Sequence, residues 1–408
     1  EKNRARMNCL CCLPILKLNS EIMMKKKLNK ETITSRAGIK SDEQHGSVVP
    51  PLYLSTNFVF DELGKEQAYE YTRDGNPTRD HLTNALSDLE SGIGGEVTSS
   101  GMAAVTLIAN TLRLNSKVIL PHDCYGGTIR LFTSLKEKGV LDVYFTDQSD
   151  LIALEKTFEE INPDLVWIET PSNPLLQVVD IEQIAQKAKL HHSLVVVDNT
   201  FLSPVLQNPL LLGADIVMHS STKYINGHSD IVGGAVITNN EEILTDLKFW
   251  ANNLGITGAP FDSYLTLRGL RTLSIRMEKH EKNAAAIVEL LSNSDKIKTV
   301  YYPGLLNHPS HAIAKKQQKG FGGMLSFEIK GGVESAKKFV HELEILSFAE
   351  SLGGFESLTA HPYTMSHAQL THEEKAKIGI SEDLIRISAG LENTEDLLEA
   401  VNLGLKKI

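Results

Sequence analysis

Cysteine is nearly missing from the body of this 408-residue chain: of four, Cys9, Cys11 and Cys12 lie close to the start and only Cys124 lies further on. That is no disulfide framework, and it points to a reducing compartment, read here as the cytoplasm. The three clustered cysteines have no His or Cys partner at zinc-like spacing nearby, so no metal is expected. Long apolar runs are also lacking, which excludes a membrane-spanning helix. So is any excess of positive charge. The net charge of −10 argues against a nucleic-acid or anionic-membrane partner. Neither an internal repeat nor a low-complexity tract is found.

What remains is an ordinary globular composition, 41% hydrophobic and 23% charged. The length exceeds one simple core and predicts two domains with extensions. Residues 1–24 read unlike the rest. Basic residues precede a short apolar stretch, Cys9 to Leu18, broken by Pro14. The pattern resembles a weak targeting segment. The plainer reading, preferred here, is a tail ahead of a natural start near Met23 or Met24, outside the fold. From residue 25 to about 80, polar residues and the breakers Pro50-Pro51 and Asn76-Pro77 describe an extended arm.

The pattern then changes. Leu82, Ala85, Leu86 and Leu89 fall at helical spacing, and a second helix opens after Ser100-Gly101. Strands are expected at 117–120, 143–145, 165–169, 195–198 and 216–218, with helical sequence at 128–138, 151–160 and 181–190 between them. Such alternation predicts a mainly parallel sheet covered by helices. A helix over 275–291, strands at 324–329 and 384–388 and a terminal helix make a smaller α+β unit.

The expected strand ends carry the chemistry. Val195-Val196-Val197 ends in Asp198, and Ile216-Val217-Met218 leads through His219 to Lys223. Ligands in such folds bind outside the carboxyl ends of the strands. A lysine amine there can form a Schiff base with an aldehyde cofactor, and a carboxylate can hold a pyridinium nitrogen protonated. Gly101 and Met102 open a helix whose free N–H groups suit a phosphate. Tyr125 ends another strand and can stack on a planar ring. Asn173 sits between Pro171 and Pro174 as a donor to a ring oxygen. Ser220 and Thr222 offer hydroxyls beside Lys223.

Together with Tyr71-Thr72-Arg73-Asp74-Gly75-Asn76-Pro77, Glu350-Ser351-Leu352-Gly353-Gly354 and Arg386-Ile387-Ser388-Ala389-Gly390, these stretches carry a resemblance. From about residue 31 to its end, the chain resembles the trans-sulfuration enzymes that use pyridoxal 5′-phosphate (PLP). The resemblance implies an aspartate aminotransferase-like fold (fold type I), with a seven-stranded, mainly parallel sheet and a smaller α+β C-terminal domain. The boundaries expected are an arm over 25–73, a PLP-binding domain over 74–281 and a C-terminal domain over 282–408.

By position, the resemblance makes Lys223 the cofactor lysine, Asp198 the pyridinium partner, Tyr125 the stacking ring and Asn173 the residue facing the phenolic oxygen. It makes Gly101, Met102, Ser220 and Thr222 the phosphate cup, and Tyr71 and Arg73 a pair reaching the phosphate of a neighbouring subunit. Arg386 matches the clamp on a substrate α-carboxylate, for which its planar fork is suited. Glu350, Ser351 and Arg130 complete the expected substrate site. Tyr71 or Tyr125, beside Arg73 or Arg130, is read as an acceptor of a substrate proton. A homotetramer built from two active dimers is implied.

Within the family, Gly126-Gly127 replaces the Gly-Cys that methionine γ-lyases carry after the tyrosine. The segments 250–255 and 261–264 resemble bacterial cystathionine γ-synthases. The expected reaction is therefore γ-replacement on an O-acylhomoserine by cysteine, serving methionine biosynthesis. Cystathionine γ-lyase is the alternative, and a catalytically silent PLP-binding protein the alternative of another class. Some synthases acting on O-succinylhomoserine carry a second arginine after the one matching Arg73. Asp74 stands there in this chain and leaves the acyl group open.

Overall fold

A computed structural model describes residues 28–408; the tail expected over 1–24 lies outside the described residues. The arm holds one short helix, Lys30–Ser35, and then runs without further helix to Asn76. There the Asn76 side chain accepts the N–H groups of Thr78 and Arg79, and Pro77 occupies the first turn. Both features start helices, and the helix Pro77–Glu90 follows. Leu82, Leu86 and Leu89 on its inner face are fully buried.

The large sheet contains β1 (Gly94–Thr98), β2 (Lys117–Pro121), β3 (Asp142–Thr146), β4 (Leu165–Glu169), β5 (Leu194–Asp198), β6 (Ile216–His219) and β7 (Gly234–Thr238). Its spatial order is β1-β7-β6-β5-β4-β2-β3. β7 is antiparallel to both of its neighbours, and every other pairing is parallel. β4 is buried at every position and β5 through Val195-Val196-Val197, which explains their unbroken apolar sequence. The fold is thus the expected seven-stranded, mainly parallel one. Two of its strands, β1 and β7, were not anticipated. β1 reads Gly-Gly-Glu-Val-Thr and has little intrinsic β preference. Its strand partner is β7, which is distant in sequence, and Thr257 bridges Thr98 on its other side.

A second sheet, ordered β10-β11-β12-β9-β8, is built from β8 (Ile297–Tyr301), β9 (Met324–Ile329), β10 (Ser347–Phe348), β11 (Leu358–Ala360) and β12 (Leu384–Ser388). β8 was also unforeseen. The long helix Leu273–Ser292 joins the two halves. Leu273 and Met277 pack into the core of the large sheet, whereas Ala284, Ile287, Val288 and Leu291 pack into that of the small one. Helices Glu241–Leu254 and Pro260–Leu270 fill the stretch before it. Among the described residues no helix is long and apolar enough to cross a membrane.

One residue of the long helix holds the segment after β6 in place. Arg276, 4% exposed, donates to the carbonyls of Tyr224, Ile225 and Gly269 at 2.7, 3.2 and 2.9 Å. Gly227 takes the left-handed conformation at φ 67°, and a Cβ there would lie 1.9 Å from Arg276 Nη1. The chain that follows Lys223 is therefore wrapped on a buried guanidinium. Arg276→Ala strands three carbonyls and opens a void; a loss of about 2–4 kcal/mol is expected in denaturant unfolding, with Arg276→Lys recovering only part of it.

Candidate active site

Only β7 opposes the other strands, so β1, β2, β4, β5 and β6 end at one edge of the sheet. The loops leaving that edge face the second sheet across a cleft of about 440 Å³. Gly101, Met102, Tyr125, Asn173, Asp198, Ser220, Thr222 and Lys223 line it from the large sheet, and Glu350, Ser351 and Arg386 from the other side. Eleven of the fourteen expected site residues thus converge in one place.

Ser100 caps the helix Gly101–Thr111 by accepting the Ala103 N–H at 2.9 Å. The N–H groups of Gly101 and Met102, in the first turn, have no carbonyl within the helix to bond. A Cβ on Gly101 would lie 2.8 Å from Ser220 Cβ and 2.9 Å from its Oγ. The missing side chain is therefore what brings Ser220 against the helix N-terminus. Backbone N–H groups, a hydroxyl and the positive end of a helix dipole meet there, which is the chemistry a phosphate requires.

Asp198 ends β5. Thr200 donates to its Oδ1 from the hydroxyl at 2.5 Å and from the backbone at 3.0 Å. Burial raises the Asp198 carboxyl despite these donors, so a cationic partner in the cleft would be stabilised by it. Lys223 Nζ donates to Ser351 Oγ at 2.6 Å. Burial, helped by the positive charge of Arg386 and opposed by Glu350, lowers its ammonium from the ordinary 10.5 to about 8. Arg386, 3% exposed, reaches from β12 to Asn173 Oδ1 at 2.7 Å and to the Ser351 carbonyl at 3.0 Å. Since a guanidinium only donates, the Asn173 oxygen points to it and the Asn173 amide NH2 is left for another acceptor.

Three expected residues lie elsewhere. Tyr71 is 45% exposed. Arg73 stands over its ring at 5.5 Å and donates to the carbonyl and side chain of Asn252 at 2.9 and 2.8 Å. Neither lines the cleft. Arg130 is exposed on the helix Gly126–Glu137 and also stays outside the lining. Conversely, Glu169 and Thr200 line the cleft without having been assigned a role. A signal for Glu169 was present, in a carboxylate closing the otherwise apolar strand Leu-Val-Trp-Ile-Glu. Thr200 was legible only as a hydroxyl two residues past Asp198.

PLP offers a phosphate, a ring nitrogen, a phenolic oxygen and an aldehyde. The donor cradle at Gly101, the Asp198 carboxylate, the free amide of Asn173 and the part-neutral amine of Lys223 fit those four groups.

The chain's relatives agree with that fit. A family model for Cys/Met metabolism PLP-dependent enzymes matches residues 31–406. The chain is 50% identical to cystathionine gamma-synthase of Escherichia coli over 92% of its length and 97% of the relative's. It is 46% identical to cystathionine gamma-lyase of Dictyostelium discoideum over 91% of its length and 96% of the relative's. The crystal structure of cystathionine gamma synthase from Xanthomonas oryzae in complex with cystathionine superposes with a TM-score of 0.92. That match has 51% identity and covers 93% of this chain and 98% of the other. This chain belongs to the Cys/Met metabolism family of PLP-dependent enzymes, and PLP is its cofactor.

Proposed function

We propose that the protein is a cystathionine γ-synthase. It replaces the acyl group of O-succinyl- or O-acetyl-L-homoserine by the sulfur of L-cysteine, giving L-cystathionine for methionine biosynthesis. One observation carries the reading. Lys223, Asp198, Glu350 and Arg386 face one cleft in a chain half identical, along nearly its whole length, to a cystathionine γ-synthase. The reaction breaks the Cγ–O bond of the homoserine ester and forms a Cγ–S bond. The acyl group leaves as a carboxylate, and the thiol proton balances the charge.

PLP supplies an electron sink for the bonds broken at Cα and Cβ. Its phosphate is assigned to the N–H groups of Gly101 and Met102 and the hydroxyls of Ser220 and Thr222. Its ring nitrogen is assigned to Asp198, its ring face to Tyr125 and its phenolic oxygen to Asn173. Arg386, already held by Asn173 and Ser351, presents its remaining N–H donors to the substrate α-carboxylate. Lys223 removes the Cα proton and returns protons within reach of its amine. With a value near 8, it is neutral in a useful fraction of molecules near neutral pH, as a general base requires. Ser351 Oγ, 2.6 Å from Nζ, would hold that amine in place within the cleft. Glu350 adds the negative charge that suits the distal ammonium of cystathionine.

Tyr71 and Arg73, exposed and outside the cleft of their own chain, are assigned to the cleft of a second copy. The protein then works as a dimer, paired again into a tetramer. Arg130, outside the lining, is assigned to the incoming substrate.

Cystathionine γ-lyase activity is the second reading. The 46% identity to the Dictyostelium lyase favours it, and the same amine, clamp and Glu350 would serve cleavage.

Three measurements test these roles. Purified protein given cysteine with O-succinyl- or O-acetylhomoserine forms cystathionine quickly and breaks added cystathionine down slowly. Rapid release of 2-oxobutanoate and ammonia from cystathionine, with little synthesis, reverses the choice. In cofactor-free protein, amine labelling followed by peptide mass mapping gives Lys223 a midpoint near about 8, and Arg386→Leu moves it upward because a repelling cation is gone. Lys223→Ala and Arg73→Ala chains are each inactive alone, Lys223→Ala also losing the covalent cofactor. Co-expressed, they recover activity in the mixed dimers that hold one intact cleft; no recovery sinks the sharing of the site.

A further inference from the structure

Glu169 has no part in the steps above, yet it is a carboxylate 7% exposed in the wall of the cleft. It ends β4 directly beside Asp198, its partner in the register of β4 and β5. Its Oε2 accepts the backbone N–H of Tyr125 at 2.7 Å, and the backbone N–H of Asn173 is a further donor to it. One side chain thus bonds the loop leaving β2 and faces the loop leaving its own strand. A second tie joins the same two loops away from the cleft, where Ser172 Oγ donates to Asp123 Oδ2 at 2.6 Å.

The other side of Tyr125 is shaped to match. A Cβ on Gly127 would lie 2.5 Å from Tyr125 Cε1 and 2.8 Å from Met102 Sδ. The Tyr125 ring therefore rests on a glycine surface, while its backbone hangs from Glu169. Tyr125 itself is 44% exposed, so little packing beyond these contacts orients it.

We propose that Glu169 is a positioning residue for the cofactor site: by accepting the Tyr125 N–H and facing that of Asn173, it fixes the stacking ring and the phenolic-oxygen donor relative to each other. The proposal rests on the reading that Tyr125 lies on the PLP ring. The tie survives a change in protonation. Burial and the neighbouring Asp198 push the Glu169 carboxyl well above the usual range, and a neutral carboxyl still keeps an oxygen that accepts. Glutamine, the neutral isostere, keeps that oxygen too. Alanine and methionine do not; methionine preserves most of the volume, should Glu169→Ala fold poorly.

The test is titration of the cofactor-free full chain with PLP, following affinity and the visible circular dichroism of the bound cofactor. Glu169→Ala and Glu169→Met weaken binding by about 10–100-fold, the value of a lost hydrogen bond to a buried carboxyl group, and diminish the dichroic band. Glu169→Gln restores both to within about threefold of the parent. In a Tyr125→Ala background, Glu169→Ala costs at least about threefold less than in the parent, because the part that acts through the Tyr125 ring is already gone. Equal losses in the two backgrounds, or an unchanged affinity and dichroism in Glu169→Ala and Glu169→Met, overturn the proposal and leave the ring placement intact. Unchanged binding and dichroism in Tyr125→Ala alone overturn the ring placement itself.

Discussion

The structure turns on keeping the Lys223 amine out of water without neutralising it by a carboxylate. A lysine hydrogen-bonded to Asp or Glu would be a fixed cation, useless as a nucleophile or base. Here its bonded neighbour is the Ser351 hydroxyl, and the nearby charge that dominates is that of Arg386; both that charge and burial push the ammonium down to about 8. Of the three carboxylates of the cleft, Glu350 opposes the shift without bonding the amine, and the other two are bonded elsewhere. Asp198 ends β5 and is bonded by Thr200, and Glu169 is bonded by the Tyr125 backbone N–H. The surrounding architecture follows from this need. The sheet delivers Lys223 to one edge, Arg276 wraps the chain beyond it, and the second sheet brings Ser351 and Arg386 over the top.

That second sheet does more than close the cleft. Arg386 on β12 bonds Asn173 from the loop after β4, and Ser326 on β9 donates to the Pro174 carbonyl at 2.7 Å. The two halves are therefore sewn together at the loop that faces the cofactor. A movement of Arg386 would be felt by Asn173. On the proposed assignment, the group that binds the substrate carboxylate and the one that faces the cofactor are joined by a hydrogen bond.

How much of this was legible in the sequence depended on how local the signal was. β4, β5 and β6 announced themselves because a strand buried on both faces must be continuously apolar, and Asp198 and Lys223 stood out as the polar residues that ended such runs. β7 is just as apolar through Ala235-Val236-Ile237, but it reverses direction, and nothing local encodes that. β1 is glycine-rich and becomes a strand only because β7 offers an edge. Glu169 was visible as a polar strand end, yet its role depends on Tyr125, which lies 44 residues earlier in the chain. Sequence spacing cannot display such a bond. Tyr71, Arg73 and Arg130 were named from resemblance, and in the single chain they stand away from the cleft, where Arg73 is held by Asn252 instead.

The chemistry open to the cleft is further narrowed by what lines it. Among the described lining residues there is one lysine, no histidine and no cysteine. Cys124, near by in sequence, is fully buried, and burial together with Glu169, Asp123 and Asp198 pushes its thiol well above the usual range. Among the described residues the cleft therefore has no thiolate of its own, and in the proposed reaction the attacking sulfur arrives with the substrate. In the proposed reaction the lone amine of Lys223 serves the successive proton transfers at neighbouring carbons. The proposed γ-exchange needs that economy: a base within reach of successive carbons, a clamp that keeps the α-carboxylate still, and no second nucleophile in the cleft to intercept Cγ before cysteine does.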